Sequence, residues 1–280
     1  MAGSERLVKL ALCIQTPEVA VTLPVALLSG TLDEKLDKAA RLGVDGVELM
    51  TTDPAELDPG ELRVKLRTHG LEAAAVASGG MAFALGLTLL HSEPTRVAQA
   101  AERLTALIDF AAALGAPVVT IGSFRGRAAS AGPQAAEQLA ALLARQGAYA
   151  AGRGVRLAIE PINRYEGDLI HNAAEGLEFV ERVGSPALGL LLDTFHINIE
   201  ERSWTEPFRK AWAAGRLWHV HLGDNNRLPP GQGLIDFPSI VQTLRELGYP
   251  GYLSAELLPR PNPDLAAEAT VAYMRRVLAG

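Results

Sequence analysis

Short apolar runs alternate along the chain with longer segments of helical periodicity, and this alternation occurs eight times. Each run is rich in Val, Ile and Leu and is followed by a polar loop, which is typical of a β-strand that leads into a helix. The eight predicted strands are VKLALCI (8–14), DGVELM (45–50), LEAAAVA (71–77), PVVTIG (117–122), VRLAIE (155–160), LGLLLD (188–193), LWHVHL (217–222) and GYLSAE (251–256).

Helices are predicted between these runs. The clearest helical segments are 31–43, 96–115 and 173–184, and each ends in Gly, the usual helix stop. Strands that alternate with helices pair in parallel, and their continuous apolar character indicates that both faces of the sheet are covered. Eight such units favour a closed barrel over a doubly wound sheet. We therefore predict one α/β domain over residues 1–280, a (β/α)₈ TIM barrel, in which the apolar segment 17–30 has no assigned structure.

The composition and net charge of the chain indicate which kinds of molecule it could bind. The chain is 48% hydrophobic and has a net charge of −6, so a folded domain is expected and binding to nucleic acid or an anionic membrane is disfavoured. The single cysteine, Cys13, lies in an apolar run and is expected to be a buried small side chain. The sequence shows neither a secretory signal nor a membrane span, so we expect a cytoplasmic protein that acts on a small molecule.

Four predicted strands end in a residue that can bind a divalent cation: Glu160, Asp193, His221 and Glu256. Their spacings of 33, 28 and 35 residues are close to the 35 residues that each of eight units would occupy in this chain. The ligands therefore follow strands five to eight, at the carboxyl end of the barrel where active sites lie. A carboxylate after a strand is often only a helix cap, so the prediction depends on the whole set.

This ligand set predicts the kind of metal. Three carboxylates and one imidazole form a hard, oxygen-rich site that suits Mn²⁺ or Mg²⁺ and tolerates Co²⁺. We expect Mn²⁺ as the cofactor, with Mg²⁺ and Co²⁺ as alternatives.

Polar residues that could reach a substrate follow the ligands. Glu166 lies six residues after the first ligand, His196 three residues after the second, and Arg227 in the polar loop after the third. An arginine in that loop can bind hydroxyls or an anion through its forked guanidinium group. Gly231 and Gly233 in the same loop permit unusual backbone angles.

Five further residues have two competing interpretations. Arg125 and Arg127 follow strand four and could clamp a terminal carboxylate or phosphate, or they could be solvated charges. His219 faces the same side as the ligand two residues later, and a hydrogen-bonded core histidine is favoured for it. Glu48, placed at the end of strand two, could bind substrate or form an internal ion pair. His91, in the loop after strand three, could be a pocket residue, but a surface histidine is favoured for it.

Several longer motifs resemble the sugar epimerase branch of the xylose-isomerase-like barrels, in which D-tagatose, D-allulose (psicose) and L-ribulose 3-epimerases are characterised. In the second half of the chain these motifs are EPINRYE (160–166), DTFHINIEE (193–201), HVHLGDNNR (219–227) and SAE (254–256). In the first half, IGSFRGR (121–127) and the loop 78–94 are more similar to 5-keto-L-gluconate epimerase. This difference leaves a keto-uronate open as the substrate.

The resemblance implies roles for the site residues. Glu160 and Glu256 would be metal ligands and also the acid/base pair, while Glu166, His196 and Arg227 would hold the substrate. Inversion of a carbon next to a ketone independently requires two groups, one to remove a proton from one face and one to return a proton to the other. A metal acting as a Lewis acid would stabilise the enediolate between these steps. Relatives commonly form dimers or tetramers, so we expect a homo-oligomer.

Four other functions compete with epimerisation. An aldose–ketose isomerase or an inosose-type dehydratase could use the same site, because each reaction begins with removal of a proton next to a carbonyl. An endonuclease IV-like enzyme shares the barrel, but six histidines and the negative net charge disfavour it. A non-enzymatic sugar-binding barrel would require a broken ligand set, and all four ligand positions are intact.

Overall fold

A computed structural model describes residues 8–280. The start of the chain, on which the expected absence of a secretory signal depends, lies outside these residues. Eight parallel strands form a closed barrel in sequence order, in which the last strand pairs with the first. The strands are β1 (Lys9–Gln15), β2 (Gly46–Met50), β3 (Glu72–Ala77), β4 (Val118–Ile121), β5 (Arg156–Ile159), β6 (Leu188–Asp193), β7 (Leu217–Leu222) and β8 (Tyr252–Ala255).

Helices connect the strands and cover the outside of the barrel. In chain order they are α1 (Leu32–Leu42), α2 (Pro59–Thr68), α3 (Gly79–Leu85), α4 (Pro94–Leu114), α5 (Ala128–Ala131), α6 (Ala135–Arg153), α7 (Ala173–Val183), α8 (Thr194–Glu200), α9 (Glu206–Ala213), α10 (Phe237–Leu247) and α11 (Pro263–Ala279). Two 3₁₀ turns lie at Pro54–Glu56 and Ser123–Arg125. The prediction of a (β/α)₈ barrel is confirmed, and each predicted strand overlaps an observed one.

Local sequence signals account for the helix ends. α1 begins with a capping box in which Thr31 and Glu34 bond each other's backbone N–H groups, and it ends at Gly43 in the left-handed conformation. Gly115 and Gly184 end α4 and α7 in the same way. The three helices predicted from periodicity are therefore confirmed, each with its terminal glycine.

Side chains on each strand alternate between the helices and the barrel interior. Leu10, Leu12 and Ile14 of β1 point outward and join the main apolar core beneath the helices. Small side chains occupy much of the interior, and among them Ala75 and Ala158 belong to a separate buried cluster.

The unassigned segment 17–30 contains neither helix nor strand. Its apolar side chains, including Val19, Leu23 and Val25, pack with Cys13 and Met50 in a second small core at the carboxyl ends of the first strands. Cys13 is fully buried, as predicted. Within residues 8–280, none of the helices is long and apolar enough to cross a membrane.

Candidate metal and substrate site

Four side chains meet inside the carboxyl end of the barrel. Asp193 is the last residue of β6 and His221 the fifth of β7, while Glu160 and Glu256 directly follow β5 and β8. One ligand atom from each lies within 4.8 Å of those from the other three. All four side chains are buried. The four residues predicted as metal ligands are thus brought together by consecutive strands.

Three of these side chains have a buried polar atom with no hydrogen-bond partner: Glu160 Oε1, Asp193 Oδ2 and His221 Nδ1. Buried polar atoms are normally paired, so three unpaired atoms in one place are typical of a ligand-binding site. His221 Nδ1 lies 3.8 Å from Glu160 Oε1 and 3.5 Å from Glu256 Oε2. Atoms that bind one cation at about 2.1 Å stand roughly 3 to 4 Å apart, so this donor set fits a divalent cation.

The electrostatics of the cluster also favour a cation. Burial raises the pKa of Asp193 to about 7, and the charge of Glu160 adds to this effect. Burial also raises the pKa of Glu160. Burial alone would raise the pKa of Glu256, but the nearby His221 and Arg227 lower it instead. Without a cation, Asp193 and Glu160 therefore bind protons more readily than exposed carboxylates do.

His196 extends the site beyond the ligands. Asn163 donates a hydrogen bond of 2.8 Å from Nδ2 to His196 Nδ1, which leaves Nε2 to carry the ring proton. Nε2 lies 3.7 Å from Glu160 Oε1. Burial lowers the pKa of His196, and the charge of Arg227 adds to this, so the ring is a neutral donor facing the cluster. The motif EPINRYE contains Asn163, whose role was not predicted.

Arg227 enters the site from the loop after β7. Its Nη1 donates to Glu166 Oε2 at 2.8 Å, its Nη2 lies 3.5 Å from Glu256 Oε2, and its guanidinium stacks on Phe195. Arg227 has a φ of 59°, in the left-handed region that non-glycine residues rarely adopt. Such strain persists where the surrounding structure holds it, and it often marks a functional position.

A buried aspartate holds this loop. Asp224 is fully buried, and its carboxylate accepts hydrogen bonds from the backbone N–H groups of Gly231, Gly233 and Ile235. Gly231 has a positive φ of 88°. This is one of the unusual backbone angles that the glycines of this loop were predicted to permit.

Arg125 is placed differently from the predicted substrate clamp. Its side chain is fully buried, and it donates to the backbone carbonyls of Glu160, Leu169 and Ile170. Burial lowers its pKa to about 10. The guanidinium group thus fastens the loop after β5 instead of facing the cavity. Arg127 is exposed and donates to the backbone carbonyl of Glu166 at 2.8 Å.

Glu48 also differs from its predicted position. It is the third of five residues in β2 rather than the last, and it is fully buried inside the barrel. Its carboxylate contacts His219 and His221. These contacts agree with the interpretation of Glu48 as part of an internal ion pair. His219 is a hydrogen-bonded core histidine, as favoured. His91 is half-buried and accepts a hydrogen bond from the backbone of Glu93.

The first half of the chain supplies much of the cavity wall. Phe83 of α3 and Thr120 of β4 line it together with Gly122 and Ser123 from the turn after β4. These wall residues were not predicted. Phe83 lies in the loop 78–94, and Gly122 and Ser123 lie in IGSFRGR (121–127), the two first-half segments that carry the family resemblance, so this resemblance was the signal that could have found them.

A family model described as a Xylose isomerase-like TIM barrel matches residues 36–277, most of the chain. The chain belongs to this family. An L-ribulose 3-epimerase from Methylomonas sp. (strain DH-1) is 33% identical over 243 residues, which are 85% of this chain and 82% of that protein. A solved structure of an L-ribulose 3-epimerase has a TM-score of 0.76 at 27% identity, covering 96% of this chain and 94% of the other.

A third relative is less similar. The 3-dehydro-D-guloside 4-epimerase of Escherichia coli (strain K12) is 30% identical over 127 residues, which are 45% of this chain and 48% of that protein. The names of these relatives describe isomerase-class enzymes, in agreement with the predicted enzyme class. The family resemblance seen in the sequence motifs is confirmed.

Proposed function

We propose that this protein is a metal-dependent epimerase that inverts a carbon next to the keto group of a ketose or a keto-uronate. The observation that carries the proposal is that Glu160 and Glu256 line the same cavity. Atoms of Asp193 and His221 without a hydrogen-bond partner lie beside them. Two carboxylates at one site meet the need for both a proton acceptor and a proton donor. Relatives named as 3-epimerases and as a 4-epimerase support the reaction class.

Glu160, Asp193, His221 and Glu256 would hold the divalent cation, and Mn²⁺ is the first ion to test. A bound cation supplies Lewis-acid stabilisation of the negative charge that develops on the substrate's keto oxygen. The ligand set contains three carboxylates, and hard oxygen donors are preferred by Mn²⁺ and Mg²⁺.

The side chains of this protein would move the proton. One of Glu160 and Glu256 takes the proton from the carbon next to the keto group, and the other returns a proton to the opposite face. The order depends on which epimer enters, because the reaction is reversible. His196 Nε2–H and the guanidinium group of Arg227 can donate to substrate oxygens, while Glu166 holds Arg227 in place through its ion pair. Burial of the two catalytic glutamates excludes bulk water from the proton that is transferred.

The test compares Glu160→Gln and Glu256→Gln, loaded with Mn²⁺, with the wild-type enzyme. Each variant is expected to lose epimerisation by at least about 10³-fold while its fold is retained. In D₂O, NMR separates the two halves of the reaction, because one remaining carboxylate can still exchange the proton of a single epimer. Glu178→Gln, an exposed carboxylate on α7, is the matched control and should keep wild-type turnover. Wild-type turnover in either glutamate variant would refute the two-carboxylate mechanism.

A substrate panel identifies the sugar and the reaction. The panel comprises D-fructose, D-tagatose, L-ribulose, 5-keto-L-gluconate and D-tagaturonate. An epimer as the product supports the proposal, whereas an aldose or a dehydrated product would show the isomerase or dehydratase alternative. Light scattering on the same samples checks the expected dimer or tetramer.

A further inference from the structure

Glu48 lies in the barrel interior beside the metal cluster, and its carboxylate is fully buried. It makes hydrogen-bond contacts with side chains from two other strands. His219 Nε2 lies 2.8 Å from Oε2, His221 Nε2 lies 3.0 Å from the same oxygen, and Thr120 Oγ1 lies 3.2 Å from Oε1. The carboxylate therefore joins β2, β4 and β7.

These contacts distinguish Glu48 from the residues that would touch substrate. Glu48 does not line the cavity formed by Glu160, His196 and Glu256. Glu48, His219 and His221 are also close enough together to hold an ion of their own. Their facing atoms are already paired with one another, however, unlike the unpaired atoms of the first cluster. The group is thus an internal hydrogen-bond network.

The two ring nitrogens of His221 face different surroundings. Nε2 faces Glu48, whereas Nδ1 has no hydrogen-bond partner and faces Glu160 and Glu256. A carboxylate only accepts hydrogen bonds, so in the neutral ring, the form that binds a metal, the contact with Glu48 places the proton on Nε2 and leaves the Nδ1 lone pair towards the cluster. The hydrogen bond made by one ring nitrogen sets which nitrogen binds a metal.

We propose that Glu48 is a positioning residue that fixes the ring of His221 and presents its Nδ1 to the divalent cation. This inference rests on the proposed metal site. A carboxylate that accepts from a ligating histidine holds the ring orientation and increases the basicity of the ligating nitrogen, and loss of such a partner typically weakens metal binding about 10- to 100-fold.

His219 supports this arrangement from the other side. Its Nε2 donates to the same oxygen of Glu48, and its ring meets that of His221 edge to face, with centroids 5.3 Å apart. Thr120 restrains the second oxygen. With contacts on both oxygens, the carboxylate has little freedom to turn away from His221.

The test measures Mn²⁺ affinity by calorimetry for wild type, Glu48→Gln and a control, Glu18→Gln. Glu18 also accepts several hydrogen bonds at the carboxyl end of the barrel, but from Thr16, Thr51 and the backbone of Thr52. Glu48→Gln is expected to weaken Mn²⁺ binding by at least about tenfold, and saturating Mn²⁺ should restore part of its turnover. Glu18→Gln should keep wild-type affinity.

The outcomes separate this inference from the proposed function. If the wild-type protein binds no Mn²⁺, the metal site itself is refuted and the role of Glu48 falls with it. If wild type binds Mn²⁺ and a folded Glu48→Gln binds it equally well, only the positioning role is overturned, and a lower Tm would then show that Glu48 serves the fold alone.

A second measurement uses the wild-type protein and needs no variant. ¹⁵N-labelled histidine NMR with Mg²⁺ or Zn²⁺ bound should show a proton on His221 Nε2 and a metal-shifted Nδ1. A metal-shifted Nε2, or an Nε2 without a proton, would overturn the inference even if Glu48→Gln fails to fold.

Discussion

Gly122 follows β4 directly and lies beside the carboxylate of Glu160. A Cβ added at Gly122 would come about 1 Å closer to Glu160 Oε2 than the 3.4 Å at which ordinary van der Waals contact begins. The next nearest atom, Glu160 Cδ, lies at 3.5 Å and would not clash. The overlap therefore involves only the end of one side chain, which can move aside while the backbone stays in place.

Gly122→Ala should therefore disturb catalysis far more than folding. Displacement of a catalytic group by about 1 Å can lower the rate about 100-fold, so kcat/KM is expected to fall by roughly that factor. This loss corresponds to about 2.7 kcal/mol of transition-state stabilisation. Mn²⁺ affinity should fall as well, because Glu160 is one of the four predicted ligands.

The assay measures initial rates on the substrate found in the panel, with Mn²⁺ titrated and Tm recorded for each variant. Gly152→Ala is the matched control, because a Cβ at Gly152 on α6 meets no atom within 4 Å. This control should keep wild-type kcat/KM. A folded Gly122→Ala enzyme with wild-type kcat/KM and Mn²⁺ affinity would refute the placement of Glu160 as ligand and acid/base group.

Three further predictions concern metal binding, stability and the substrate. Burial raises the pKa of Asp193 to about 7 and also raises that of Glu160, so a cation must displace protons at low pH. The increase in Tm on addition of Mn²⁺ should thus be larger at about pH 8 than at about pH 6, and the reverse order would contradict this. Arg125→Met should lower the free energy of unfolding by about 3 kcal/mol in denaturant titrations, because buried carbonyls lose their donor; a changed preference between ketose and keto-uronate would instead support the clamp. Phe83→Ala removes an apolar wall and should raise KM about tenfold with little change in kcat, and an unchanged KM would exclude Phe83 from the substrate's surroundings.

The barrel and the metal cluster could be predicted because local signals repeat. Each strand is a short apolar run, and each ligand comes at or directly after the end of such a run, as with Glu160 after LAI and Asp193 after LLL. In a parallel barrel all strands end at the same face, so the spacing along the chain is enough to bring these side chains together.

The contacts of Arg125 and Glu48 could not be predicted because their partners lie far away in sequence. Arg125 bonds backbone carbonyls 35, 44 and 45 residues further on, and a carbonyl leaves no mark in the sequence. Glu48 pairs with histidines 171 and 173 residues away. Buried carboxylates are rare unless they have a partner, and the sequence does not reveal the partner. A glutamate within an apolar run is therefore predicted to lie at the end of the strand, as Glu48 was.

The two halves of the barrel contribute different things to the cavity. All four predicted ligands lie in or directly after β5 to β8, whereas Phe83, Thr120 and Ser123 of the cavity wall come from β4 and the segments after β3 and β4. Mutations at wall residues such as Phe83 and Ser123 can therefore reshape the pocket without touching the reactive groups, provided that Gly122 and Glu48 are kept. Evolution can recruit such an enzyme to a new sugar by changing its first half, and a chimera that exchanges residues before β5 with a relative should inherit that relative's substrate choice.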